Sequence, residues 1–288
     1  MKSAPIALAA LLLAAAAPVL AAPAVPAPAA ADWRTPDPEN VMVIDTSKGR
    51  VIVELAPWAA PLSVERVRLL TRQGFYDGLT FFRVIDDFMA QTGDPKNDGT
   101  GGADSLPDMK AEFQFRHGRE LRATLVGRLA PDEHVPFLTE TSFIDGFAIR
   151  GAPAMQMMVA ADGRISSWPL FCAGVLGMAR ATEPDTANSQ FFLMRQNYPL
   201  LDANYAAFGR VLSGLEAVRA IKTGEPVAEP RDAMTKVRML ADIPAAERPK
   251  VQVLNTASPS FKVILEAARA AGAGPATACD IAVPVKIG

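Results

Sequence analysis

The stretch Phe81-Phe82-Arg83-Val84-Ile85, Phe88-Met89-Ala90-Gln91-Thr92-Gly93-Asp94 and Gly99-Thr100-Gly101-Gly102 decides how the rest of the chain is read. Residues 79–85 and 88–91 are aromatic and β-branched in character and are punctuated by Asp86-Asp87, so both read as strands. Towards the amino end, 41–46 and 50–55 are β-branched runs joined by Ser47-Lys48-Gly49, the pattern of a hairpin. Pro61 and Ser63 then open a segment in which Val64, Val67 and Leu70 fall about one helical turn apart before Gly74 supplies a stop. Towards the carboxyl end, 174–179, 189–194 and 205–211 are further apolar runs, 215–221 a short helix and 236–240 a closing strand. Many short strands with two helices predict a mainly β barrel or sandwich.

Of 288 residues, half are apolar and about a fifth charged, a composition able to bury a sizeable core. The 29 basic and 31 acidic side chains give a net charge of −2, with no basic excess to neutralise a phosphate backbone, which excludes nucleic acid as an expected partner. His117 and His134 lack a partnered spacing, so no metal site is expected and both are assigned to the surface. The glycines at 99–102 lack the Lys-Ser/Thr ending of a phosphate loop, and no cofactor is expected.

At the amino end Lys2 precedes twelve uncharged apolar residues, Ile6 to Ala17. As a helix they reach about 18 Å against a hydrocarbon core of roughly 30 Å, too short for a span but long enough for a signal-peptide core. Pro18 breaks the helix, and cleavage is expected after Ala21, with Ala29-Ala30-Ala31 as an alternative site. Residues 22–38 then read as a Pro/Ala-rich tether. The expected product is exported, periplasmic or secreted, with no membrane span after cleavage.

In order and spacing, the 81–102 blocks resemble the central signature of the cyclophilins, the peptidyl-prolyl cis-trans isomerases. Gly174-Val175-Leu176-Gly177-Met178-Ala179, Asn188-Ser189-Gln190-Phe191-Phe192 and the run from Leu201-Asp202 to Phe208-Gly209-Arg210-Val211 resemble that family's later strands. The resemblance implies a closed eight-stranded antiparallel barrel capped by two α-helices over 39–244, and isomerisation of X-Pro bonds in exported, unfolded proteins. It places Arg83 at the family's catalytic arginine and Phe88, Met89, Gln91, Phe192 and Leu201 at its proline pocket. Ala179 and Gln190 fall along the substrate groove, and the 99–102 glycines allow close backbone approach beside the pocket. Three positions depart from the pattern: Leu200 and Tyr205 stand where tryptophan and histidine are common, and Arg180 where asparagine is usual. Tyr205 keeps an aromatic wall, while Arg180 adds a positive charge to the groove. The alternative is a non-catalytic peptide-binding or chaperone module on the same barrel.

The chemistry suits these residue types. Amide resonance sets a rotation barrier of about 18 to 20 kcal/mol. A guanidinium donating to the prolyl nitrogen lone pair holds those electrons out of conjugation as the amide twists, favouring the transition state over both ground states. Arginine stays protonated, and its planar fork is readily held by a neighbour such as Gln91.

Two segments lie outside the barrel pattern. An insertion at about 114–172 contains Met155, Met157, Met158 and Trp168, and two readings stand: a groove for unfolded clients, or a covering flap or edge hairpin with its own small core. An α/β appendage follows at 245–288, with a strand at 251–254, a helix at 261–271 capped by Ser260 and a strand at 280–283. The two cysteines, Cys172 and Cys279, are expected to pair in an oxidising compartment, two free buried thiols being the alternative.

Overall fold

The computed structural model describes residues 27–288; the leader and the cleavage site after Ala21 lie outside the described residues. Trp33–Arg34 (β1) precedes the hairpin Val41–Thr46 (β2) and Gly49–Leu55 (β3), and Pro61–Arg72 forms α1. Arg83–Val84 (β4) and Met89–Thr92 (β5) follow. The insertion supplies Phe115–His117 (β6), Thr124–Leu129 (β7), Thr139–Ile144 (β8), Phe147–Gly151 (β9) and Ile165–Pro169 (β10). The chain returns with Val175–Met178 (β11), Phe191–Met194 (β12), Ala207–Ser213 (β13), Leu215–Arg219 (α2) and Met234–Met239 (β14). It ends in Val251–Leu254 (β15), Pro259–Ala270 (α3) and Val285–Ile287 (β16).

Eight strands form one antiparallel sheet in the order β14-β2-β3-β13-β11-β12-β5-β4. It curls until its two edges meet: Thr80 bridges Ala233, Val84 bridges Gly224, and Phe81 N donates to Asp232 O at 2.9 Å. The predicted strand at 79–85 keeps only Arg83-Val84 as regular ladder. Phe81 and Phe82 are both buried, and their bonds run to Asp232 and Val227 across the seam, outside any regular ladder, so the segment closes the sheet irregularly. Val64, Val67 and Leu70 of α1 and Val218 of α2 pack into the same core as Met42, Phe191 and Phe208. The Glu112 carboxylate accepts the Leu62 and Ser63 amides, both at 2.8 Å, placing a negative charge on the first turn of α1.

The insertion is neither a flap nor a lone hairpin but a five-stranded antiparallel sheet, ordered β6-β10-β9-β8-β7. Along β9 the faces alternate. Phe147 and Ile149 pack on Ala56, Ala59 and Trp58 beside the barrel, whereas Ala148 packs with Phe261, Leu265, Ala278 and Ile281 of the appendage. The sheet is thus held between barrel and appendage. His117, expected at the surface, is buried, its Nε2 3.0 Å from Ser167 Oγ, because β6 alternates Phe115 and His117 inward with Arg116 outward. Burial lowers its pKa.

The tether predicted at 22–38 stops short of that range. Trp33 and Arg34 pair with Leu254 and Val253, giving a three-stranded sheet β1-β15-β16. Trp33 gains apolar cover there, and Arg34 gains an ion pair. Arg34 Nη1 and Nη2 donate to the two Glu54 oxygens at 2.6 and 2.9 Å, and Nη2 also donates to the Asp145 carbonyl. Arg210 Nη2 reaches the same carboxylate at 3.4 Å with its guanidinium over Phe147, and burial lowers the Arg210 pKa. One carboxylate therefore joins the amino-terminal strand to the barrel, and Arg34 carries the link on to the insertion.

In the appendage α3 begins two residues earlier than predicted. Ser258 accepts the Phe261 amide at 3.2 Å and Pro259 takes the first turn, where its missing N–H costs nothing; Ser260 bonds Asp32 instead. The predicted strand at 280–283 is replaced by a 3-10 turn, Pro275–Asp280, and β16. Ala278 and Ile281, three apart, are both buried, a turn periodicity and not an alternating one. Within that turn Cys279 is bonded to Cys172, with Cα atoms 5.1 Å apart.

Candidate active site

Four neighbouring barrel strands set one row of side chains. Arg83 on β4 lies opposite Gln91 on β5, Gln91 opposite Phe192 on β12, and Phe192 opposite Gly177 on β11. Residues directly opposite share a face, so the guanidinium, the amide and the aromatic ring are neighbours by register. Gly177 is required: a Cβ there would lie 2.5 Å from the Phe192 ring and 2.7 Å from the Phe171 ring. Met89, two residues before Gln91, joins the same face.

These side chains border one apolar cluster. Met89, Phe192 and Leu201 are buried in it with Phe171, and Phe88, Ala179 and Tyr205 pack at its partly exposed edge. The Phe192 and Tyr205 rings meet edge-on at 5.9 Å, and the Phe88 ring lies 4.3 Å from that of Tyr198. Leu201 reaches the cluster from a 3-10 turn, Pro199–Leu201. Leu200 in the same turn stands apart, 65 % exposed.

Arg83 borders this cluster and is held at two corners. Nη1 donates to Gln91 Oε1 at 3.3 Å, and Nε is paired with the Glu225 carboxylate. Gln91 Nε2 donates to Gln190 Oε1 at 2.9 Å, and Gln190 Nε2 donates to the carbonyls of Gly99 and Gly101 at 3.0 and 2.8 Å. The glycine-rich segment thus ends a relay that orients the guanidinium. Arg180, by contrast, is clamped: it donates to the carbonyls of Ala181, Thr182 and Asn204 and stacks 4.5 Å from the Tyr205 ring centroid.

Two supporting residues escaped the sequence reading. Glu225 is 142 positions from Arg83, and no local motif marks it. Its placement comes from backbone pairing: Val84 and Gly224 exchange hydrogen bonds at 2.8 Å, and Val227 N donates to Phe82 O at 2.8 Å, setting the loop alongside the arginine strand. The second, Arg195, is buried; it donates to Asp86 and to the carbonyls of Arg219 and Ile221, and its own amide donates to Phe88 O. It braces the turn that carries Phe88.

Asp202, next to Leu201, accepts the Phe171 amide at 2.8 Å. Desolvation pushes its pKa up to about 7 from an ordinary 3.8, outweighing that hydrogen bond and the charge of Arg150. The folded state therefore keeps a proton that the unfolded chain releases, and the stability contributed by this group falls as pH rises from about 4 to about 7. Asp202→Asn is expected to flatten that slope, measured by urea unfolding at about pH 5 and about pH 7.5. An unchanged slope would assign the pH dependence elsewhere.

The cyclophilin type peptidyl-prolyl cis-trans isomerase/CLD family model matches residues 41–241. A probable peptidyl-prolyl cis-trans isomerase of Brucella suis is 33% identical over 199 residues, covering 65% of this chain and 74% of that protein. The peptidyl-prolyl cis-trans isomerase-like 1 protein of Gibberella zeae is 29% identical over 202 residues, 68% of this chain and 93% of its own. Among solved structures, cyclophilin AquaCyp293 from Hirschia baltica superposes with a TM-score of 0.78 at 33% identity, covering 88% of this chain and 93% of that one. With the Arg83–Gln91–Phe192 row on a curled eight-stranded sheet, the matches lead to one assignment: the chain belongs to the cyclophilin-type peptidyl-prolyl cis-trans isomerases.

Proposed function

We propose that the protein accelerates cis-trans isomerisation of X-Pro bonds in exported, unfolded polypeptides, with Arg83 as the group that weakens amide resonance. The observation that carries this reading is the guanidinium held by Gln91 and Glu225 at the border of the apolar cluster. Held at Nη1 and Nε, it keeps Nη2 available for the prolyl nitrogen. The cluster of Phe88, Met89, Phe192 and Leu201 fixes the proline ring and excludes water while the acyl side turns, which is catalysis by positioning and local field. Ala179, Gln190 and Tyr205 flank the chain on either side of the proline. Arg180 supplies a fixed positive charge near it, expected to favour an acidic residue before the proline.

Export is supported by the leader pattern at 1–21 and by a disulfide between the only two cysteines. Among the described residues no helix is long and apolar enough to cross a membrane. The test of the activity is an isomerisation assay on an Ala-Pro tetrapeptide with the wild-type protein. Catalysed exchange above the thermal rate is the expected result; its absence, with peptide binding retained, would leave the non-catalytic peptide-binding module as the reading.

A further inference from the structure

Beside the proline pocket, the insertion sheet forms the floor of a cleft of about 1130 Å³. Its floor residues are two apart on three adjacent strands or their ends: Gln114 and Arg116, Ser166 and Trp168, Arg150 and Ala152. One sheet face is thus covered at Ala148 by the appendage and left open beyond it. The opposite wall is the segment 199–204. That segment is shared with the pocket: Leu201 packs against Met89 and Phe192, whereas Leu200, Asp202 and Asn204 line the cleft.

The lining states what would fit. Around the rim stand exposed apolar side chains: Val159 at 85 %, Leu200 at 65 % and Phe137 at 51 %, with Met158 at 79 % on the adjoining turn. The cations of the floor are already neutralised, Arg116 by Asp162, Arg150 by Asp132 and Arg164 by Glu120. An anionic ligand finds no free charge, whereas an apolar chain finds a buried tryptophan floor and adaptable methionine and leucine edges. At more than the roughly 300–1,000 Å³ of ordinary small-molecule sites, the cleft has room for several residues of extended polypeptide.

Resting on the isomerase reading of the adjoining pocket, we propose that this cleft is a second binding site for the same client, taking an extended apolar segment of the unfolded chain whose proline occupies the pocket. The insertion thereby makes the enzyme selective for prolines flanked by exposed apolar sequence, the state of a protein that has not folded. Leu200 lines the cleft from the same turn that carries Leu201 into the pocket.

The test uses the full exported chain and two labelled peptides of about fifteen residues, long enough at roughly 3.4 Å per extended residue to cross from pocket to cleft. Each has one central Ala-Pro; one is flanked by Leu, Val and Phe, the other by Ser and Gly. Wild type is expected to bind the apolar-flanked peptide at least about tenfold more tightly. The double variant Phe137→Ser/Val159→Ser, both exposed positions, is expected to lose most of that preference while isomerising a tetrapeptide within about twofold of wild type. Equal affinity of wild type for the two peptides, or a preference untouched in a correctly folded variant, overturns the proposal. So does a wild-type dimer, seen by sedimentation and dissolved by the variant, without flank preference: the cleft would then bind a second copy. Flank preference lost in the variant but without tetrapeptide turnover in wild type supports the cleft and refutes the isomerase reading instead.

Discussion

Arg83→Ala is expected to lower kcat/KM for an Ala-Pro tetrapeptide by about one to two powers of ten, with the folded state unchanged. The magnitude follows from a charge-assisted hydrogen bond, about 1.5 to 3 kcal/mol, at about 1.36 kcal/mol per tenfold. It falls on the transition state, because only the twisted amide presents a localised nitrogen lone pair to the guanidinium. Folding should tolerate the change, since the Arg83 side chain is a third exposed and its partners Glu225 and Gln91 retain access to water. Arg83→Lys is expected to recover little, because a point charge cannot hold Gln91, Glu225 and the substrate at three corners of one plane. Glu225→Gln should produce a smaller, severalfold loss in kcat with KM nearly constant, as a group that orients the arginine without touching the proline. If Arg83→Ala retains wild-type kcat/KM in a line-shape or protease-coupled assay, the guanidinium is not the source of the rate.

The largest expected loss of stability is at Glu54. This carboxylate is buried and accepts from both Arg34 and Arg210. Glu54→Gln keeps the shape, removes the charge and leaves the two guanidiniums with Asp145, 3.9 Å from Arg34 Nε, as their remaining carboxylate. Breaking a buried pair in this way costs about 3 to 5 kcal/mol, and the Asp145 carboxylate that remains places the expected loss towards the lower half. Urea unfolding should show the transition midpoint shifted down with that loss; a change below about 1 kcal/mol would mean that water reaches the site and screens it. Because Arg34 also donates to the Asp145 carbonyl, the variant should loosen the amino-terminal strand and insertion before the barrel, visible as earlier amide exchange there.

Where the pattern is local, the chain is legible. Val41–Leu55 forms its hairpin around Ser47-Lys48, α1 runs from Pro61 to Arg72, and β15 occupies the expected four residues. The site row was legible for a different reason: Arg83, Gln91 and Phe192 sit in motif blocks whose order carries the register. The insertion was opaque because one of its interior strands, Thr139–Ile144, is buried throughout yet opens Thr-Glu-Thr-Ser; Arg150 bonds Thr139 and Arg128 bonds Glu140, while the Thr141 hydroxyl is buried without a partner. The strand's apolar partners are split between the appendage, where Phe143 meets Phe261, and residues 56–59 beside the barrel, where Ile144 packs, so no one stretch displays a complete hydrophobic pattern. Glu225 shows the same limit at the site, since its place opposite Arg83 is set by the pairing of Gly224 and Val227 with residues 82 and 84.

The three-stranded sheet has a mechanical consequence. Its central strand, β15, carries the first strand of the described residues on one edge and the last on the other. Both edge strands run antiparallel to β15, so opposite pulls on the two ends load ladders of two and three residues along the strand axis, in shear. The barrel shares that load through Arg34–Glu54 and is tied to the far side of the assembly through Cys172–Cys279. Pulling at the ends is thereby borne jointly by β15, the Glu54 ion pair and the disulfide, three links at separate places on the molecule.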